Sequence, residues 1–304
     1  MTDSTLTNPT PSADSETLVI KPSHGLAALN LRDLWRYREL AFFLTWRDIK
    51  VRYKQTILGA AWAIIQPLLQ MVIFNFLFGD LGNISTGDIP RPIFTYSALL
   101  VWNLFATALN DASRSLVSSR NMITRVYFPR LIIPLSSILS GLVDFFISFL
   151  VLLGMMFFYH LAPTAAIWTL PLFLVLALMT ALGVGLWLSA LNVNYRDVRY
   201  ILPFLTQFWM LASPIAYPVS KVPEGFRLLY ALNPMVGVVE GFRWALLGAG
   251  AGSESVAEGA QWILISAETG IDPVLWVSVG ISLLILVSGL FYFRHMEKTF
   301  ADMV

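Results

Sequence analysis

Residues 47–70 read RDIKVRYKQTILGAAWAIIQPLLQ: four cations, Arg47, Lys50, Arg52 and Lys54, fall within eight positions, and no charged residue follows to the end of the stretch. A helix needs about 20 apolar residues to cross the ~30 Å hydrocarbon core of a bilayer, and cations collect at the cytosolic edge of such helices. So abrupt a change marks a membrane boundary.

The composition agrees. The 304 residues are 57% hydrophobic and only 13% charged, with a mean hydropathy of +0.68. A water-soluble domain carries about 25% charged residues to solvate its surface, so much of this surface faces something other than water. The net charge of +1 points to no polyanionic partner, and nucleic acid is not expected. With no cysteine, the chain has no disulfide, thiolate chemistry or zinc–thiolate site. His24, His160 and His295 are too scattered for a metal site or a catalytic pair. Residues 1–30 are polar, rich in Ser, Thr and Pro, and contain no apolar run long enough for a signal peptide. They read as a disordered, untranslocated cytosolic tail.

Six apolar stretches follow, at about 55–79, 92–117, 130–159, 166–191, 200–219 and 273–294. Six crossings put both termini on one side. Of the twenty Lys and Arg residues, only Arg91, Lys221, Arg227 and Arg243 fall on the opposite side. This bias places both termini in the cytosol. The expected fold is an all-α integral membrane protein. Asp144 is the one carboxylate clearly embedded in a span, about 15 residues past Pro129 and so ~22 Å along its helix. It suits a hydrogen bond between helices, with a part in gating as the other reading.

Two segments fall outside this pattern. In 31–54, Leu31, Trp35, Phe42, Trp46, Ile49 and Tyr53 recur at intervals of three, four or seven, with Arg32, Arg36, Arg47, Lys50 and Lys54 away from that stripe. This is the pattern of an amphipathic helix lying in the membrane interface against lipid. Leu40, Phe43 and Leu44 interrupt it and predict a kink or a protein contact near residue 40. Between spans five and six, LLYALNPMVGVVEGFRWALLG (228–248) holds apolar pieces too short to cross, broken by Pro234 and Gly237. They predict either a re-entrant outer hairpin, buried in protein or lining a wet cavity, or a packed outside loop.

The basic cluster of the opening stretch has two readings: ordinary flanking charge, or a receiver for a phosphate on an incoming substrate. Here the chain's likeness to a family bears on the choice. RDIKVRYKQTILGAAWAIIQPLLQ (47–70), RNMITRVYFPRLIIPLSSILSGLVD (120–144), NVNYRDVRYILPFLTQFWMLASPIAYP (192–218) and LNPMVGVVEGFRWALLG (232–248) resemble, in this order, the membrane subunits of ABC exporters for lipid-linked polysaccharides. The likeness is nearest to the O-antigen (Wzm-type) permeases, with capsule and teichoic-acid permeases as relatives. It implies the ABC type-2 exporter membrane-domain fold, and a role for Arg47, Lys50, Arg52 and Lys54 in receiving a lipid diphosphate.

No G-x-x-x-x-G-K-[ST] occurs, and none of the five lysines follows a glycine, so this chain has no P-loop for ATP. Work must come from elsewhere. A short, basic, half-apolar cytosolic loop, residues 118–129, suits contact with a partner. The resemblance implies that it is the coupling helix of an ATPase partner, carried by Arg120, Asn121, Met122, Ile123, Arg125, Val126 and Tyr127. Tyr195, Arg196 and Asp197 form a second contact. The chain itself takes no cofactor; Mg-ATP belongs to the partner.

Sugar polymers are held by aromatic faces and hydrogen-bonding side chains. Trp62, Gln66 and Gln70 share one helix face, as do Phe204 and Phe208 beside Gln207, and these faces are candidates to line a channel. Ordinary packing is the other reading. Trp102, Trp168, Tyr217 and Trp276 read as an outer interfacial belt. Six spans enclose too little for a glycan, so two copies and two ATPase subunits are expected around one path, with membrane lipid at the margin. Pro234, Glu240 and Arg243 would form the outer gate. The expected function is export of undecaprenyl-diphosphate-linked polysaccharide, most of all O-antigen, across the bacterial inner membrane. A permease for a small drug or lipid and a membrane-embedded transferase are the rivals.

Overall fold

In a computed structural model of the chain, residues 31–54, 59–84, 86, 89–195, 197–248 and 273–297 are described. The expected tail at 1–30, Arg196 and the segment 249–272 lie outside them. The described residues are helical, without a strand. Two short helices, α1 (Leu31–Arg36) and α2 (Arg38–Lys54), precede α3 (Gly59–Phe74), which runs on as a π-helical segment, Asn75–Leu81. Then come α4 (Arg91–Ser118), α5 (Arg120–Ile123), α6 (Ile132–Phe158), α7 (Leu170–Asn194), α8 (Val198–Leu211), α9 (Glu224–Ala231), α10 (Pro234–Leu247) and α11 (Pro273–Glu297).

Five of these helical stretches are long and apolar enough to cross a membrane: Gly59–Leu81, Arg91–Ser118, Ile132–Phe158, Ala165–Asn194 and Leu275–Glu297. The stretch expected at 200–219 differs. Its helix, α8, stops at Leu211 after 14 residues, about 21 Å, short of the hydrocarbon thickness. Pro214 is the cause, because the residue before a proline is pushed out of helical geometry. Ser213, Ile215 and Ala216 beyond it are buried in protein, where irregular backbone is tolerated.

The hub is α4. Its most apolar window is 78% buried, against 11% for the stretch containing α3. It packs against α6 and α7, and α7 packs in turn against α11. Lipid is as apolar as leucine, so helices in a bilayer associate through close packing and hydrogen bonds. Both occur here. A Cβ on Gly183 would stand 2.7 Å from the Leu286 backbone nitrogen, and one on Gly289 would run into the Gly183 carbonyl. Only glycine lets α7 and α11 approach so closely. Beside this contact the Thr180 hydroxyl donates to Ser282 Oγ at 2.9 Å. Elsewhere the Ser148 hydroxyl donates to the Ala63 carbonyl at 2.6 Å, joining α6 to α3, and Asn192 Nδ2 donates to the Ser113 carbonyl at 3.0 Å, joining α7 to α4.

The helix expected over 31–54 breaks at Tyr37, and a protein contact does lie near residue 40. Leu44 is buried, with Leu34, Tyr37, Leu40 and Ala41 packed into the same cluster as Leu116, Ile123, Phe128, Ile132, Leu186 and Phe293. Of the expected apolar stripe, Trp35 and Phe42 are 72% and 65% exposed, whereas Tyr53 turns inward to Asp144. Nor are cations and aromatics segregated. Arg38 sits 5.6 Å over the Trp35 ring, and Lys50 5.5 Å over Trp46. Thus α2 has two apolar faces, one against the bundle and one outward with its cations.

Candidate transport site at the membrane boundary

The four cations of the opening stretch divide into two groups. Arg52 turns inward from α2. Its Nη1 donates to Asp144 Oδ2 on α6 at 2.5 Å, and its Nη2 to Asp111 Oδ2 on α4 at 2.5 Å. The Tyr53 hydroxyl donates to the second oxygen of Asp144. Burial pushes the Arg52 guanidinium down, yet its two carboxylates more than offset this and leave it raised above the ordinary arginine value. The Tyr53 phenol is pushed up by burial and by its bond to Asp144. Arg52, expected to receive a phosphate, is thus paired with two protein carboxylates. Asp144 is not a solitary embedded carboxylate either, since Asp111 shares its cation.

Arg47, Lys50 and Lys54 instead line an outward groove on α2 with Phe43, Trp46 and Val51. Lys50 and Lys54 are exposed, and Arg47 pairs with Asp48 at 2.8 Å. This groove joins apolar contact to positive charge, as an amphiphilic anion requires.

On the polar face of α3, Gln70 is bonded within the subunit, while Trp62 and Gln66 are exposed. Gln70 Oε1 accepts from Asn103 Nδ2 on α4 at 3.0 Å. Trp62, half exposed, and Gln66 line a cleft of about 220 Å³ between α3, α4 and α6. Leu69, Val72 and Ile73 of α3, and Phe76 just beyond it, are exposed as well. On α8, Phe204 and Phe208 are 63% and 57% exposed, with ring centroids 4.3 Å apart, and Gln207 beside them is exposed.

At the inner end, the expected coupling segment is split by burial. Ile123 is buried, and Met122 packs into the inner cluster that also holds Leu44, so neither is a free knob for a partner. Val126 and Tyr127 are 57% and 73% exposed, and Arg120, Asn121 and Arg125 are exposed beside them. In the second segment Tyr195 and Asp197 are exposed, while Arg196 lies outside the described residues.

Residues 39–247 match the ABC-2 type transporter family. The chain belongs to that family. Among its relatives, the O-antigen export system permease protein RfbA of Myxococcus xanthus is 30% identical over 216 residues, 70% of this chain and 82% of the relative. A protein of the same name from Klebsiella pneumoniae is 28% identical over 67% of this chain and 79% of its own length. The polysialic acid transport protein KpsM of Escherichia coli is 26% identical over 68% and 80%. The match ends with α10, so the family takes in α2 with its cations and the short helices α9 and α10 alike.

At the opposite end of this ABC-2 type transporter, α10 is fixed by two residues. Asn233 caps it, accepting from the Met235 N–H at 3.0 Å; its Oδ1 also takes the Trp209 indole N–H at 2.8 Å, and its Nδ2 donates to the Ala212 carbonyl. Pro234 opens the helix at a position where no N–H is needed. Arg243 is wholly buried: it donates to Glu240 at 2.9 Å and to the Ile215 carbonyl at 2.6 Å, and lies 3.6 Å over the Phe94 ring. Arg243, expected with Glu240 in a gate, ties α10 to Phe94 of α4 and to the segment after α8. Trp102, expected in the interfacial belt, is 2% exposed and packs in the core, whereas Trp168 and Trp276 are 89% and 61% exposed.

The sequence reading missed Asp111 as Arg52's second partner, and with it Asn103 and Asn233. One signal was present. Two carboxylates in spans need a cation within reach, and α2 carries the nearest ones.

Proposed function

We propose that the chain is the transmembrane permease subunit of an ATP-driven exporter that moves undecaprenyl-diphosphate-linked polysaccharide, O-antigen above all, across the bacterial inner membrane. One observation carries this reading: relatives bearing the name O-antigen export permease align over 79–82% of their own length. Two copies stand around one path, two copies of a cytosolic ABC ATPase supply the work, and both termini are cytosolic. A sixth crossing is made by α8 together with the irregular segment after it. The exposed Gln207 between Phe204 and Phe208 supports this arrangement, because a side-chain amide facing lipid is costly, whereas it suits a wet path between subunits. The lipid diphosphate is received at Arg47, Lys50 and Lys54. The coupling surface consists of Arg120, Asn121, Arg125, Val126 and Tyr127, with Tyr195 and Asp197 as the second contact.

The test is reconstitution. Purified protein, with and without its ATPase, is placed in vesicles loaded with undecaprenyl-diphosphate-linked polymer. Polymer should cross only when both proteins and ATP are present; crossing without the ATPase overturns the proposal. The polysialic acid transport relative favours a second reading, export of a capsule-type polymer. The composition of the lipid-linked polymer that accumulates inside a deletion strain decides between them.

A further inference from the structure

The cleft between α3, α4 and α6 sets several polar groups among the apolar walls made by Ala63, Pro67, Leu100, Leu104 and Phe145. Trp62 stands at its mouth; Gln66, Asn103, Thr107 and Ser148 line its walls, and Arg52 and Asp144 lie along it as well. Asn103, Ser148 and Asp144 have protein partners. Among the described residues, the side chains of Gln66, which is exposed, and Thr107, which is half-buried, have no hydrogen-bonding partner, and both line the cleft. A side-chain amide or hydroxyl in an apolar medium costs roughly 1–3 kcal/mol unless it is hydrogen-bonded. Such groups are maintained against that cost where something polar meets them.

Gly141 keeps the cleft open on the α6 side. A Cβ there would be 3.8 Å from the Thr107 methyl, so the backbone has room, but any longer side chain would enter the space. At about 220 Å³ the cleft is below the ~300–1,000 Å³ of pockets for drug-sized ligands, so it takes a single ring.

Charge selects the kind of ring. Asp111 and Asp144 share the single cation of Arg52, so the nearby ionic groups sum to a negative charge that repels phosphate. An indole, an amide, hydroxyls and a carboxylate, with no surplus cation, match a neutral hydroxyl-rich ring. We propose that this cleft is a sugar subsite within each subunit, binding one ring of the glycan close to its lipid diphosphate, apart from any path between copies. The inference rests on the lipid-linked polysaccharide reading. It divides recognition between two places: the diphosphate on the outward groove of α2, and the adjoining sugar in the cleft.

The experiment measures binding of two probes to the full-length protein in nanodiscs: undecaprenyl diphosphate, and undecaprenyl diphosphate carrying one N-acetylhexosamine. The wild type should bind the sugar-bearing probe about tenfold more tightly, the factor that one or two hydrogen bonds supply. Gln66→Leu, nearly isosteric, and Gly141→Leu, which fills the cleft, should each erase that preference while binding the bare diphosphate as the wild type does. Retained bare-probe binding shows that the variants are folded. Equal binding of both probes by the wild type overturns the subsite and leaves the export reading standing, as does a preference that survives both substitutions. Failure of the wild type to bind either probe overturns both.

Discussion

Arg52 and Asp144 lie 92 positions apart in sequence, yet the guanidinium of one donates to the carboxylate of the other at 2.5 Å, joining α2 to the middle of α6. Asp111 closes the cluster from α4. Arg52→Met should therefore be worse than Asp144→Asn, since it leaves two carboxylates facing each other without a cation. The groups are about 28–33% exposed, so the loss lies between that of surface and buried pairs, about 1–3 kcal/mol. Thermal melts of the detergent-purified variants check the order; equal melting temperatures would remove the bracing role.

Arg243 has no exposure at all. Arg243→Met leaves the half-buried Glu240 unpaired and strips a fully buried site of its charge partner, and should cost about 3 kcal/mol. Adding Glu240→Gln should restore much of the loss, because the orphaned charge is gone. Melting temperature and membrane yield, compared across the two single variants and the double, measure this coupling.

Two neighbouring residues of the coupling segment should behave oppositely. Ile123→Asp puts a charge into the inner apolar cluster and should destabilise the fold by about 3 kcal/mol or more. Tyr127→Asp, on an exposed residue, should change stability by no more than about 0.5 kcal/mol yet abolish co-purification of the ATPase. A Tyr127→Asp protein that still captures the ATPase would move the contact elsewhere.

With Arg52 paired internally, charge reversal is informative at Arg47, Lys50 and Lys54. Each cation near a membrane surface contributes about 1 kcal/mol towards an anionic lipid, so neutralising all three should weaken capture by about two orders of magnitude and reversing them by about four. Surface polymer should disappear while the complex with the ATPase persists. Normal polymer in that strain would end the diphosphate-receiving role of these residues.

Gly183→Leu should force α7 and α11 apart at a cost of about 1–3 kcal/mol. Gly280→Ala, on the same α11 but with nothing within 4 Å of the added methyl, should melt like the wild type. If both variants melt alike, close backbone approach does not hold these helices together.

The sequence by itself determined where the long apolar helices run. Charge and hydropathy are local properties, so five long apolar helices, the short helices around Pro234 and the exposed loop around Tyr127 were legible. What each helix face meets was not. Inside a bilayer, lipid and protein are equally apolar, so hydropathy cannot tell a face that packs from a face that meets acyl chains. Only the tertiary structure decided that Ile123 and Trp102 are buried in protein and that Gln70 bonds Asn103 of its own subunit. Arg52 shows the reason most clearly: its charge was visible in the sequence, but its partners lie on α4 and α6, and only packing brings them within hydrogen-bond distance.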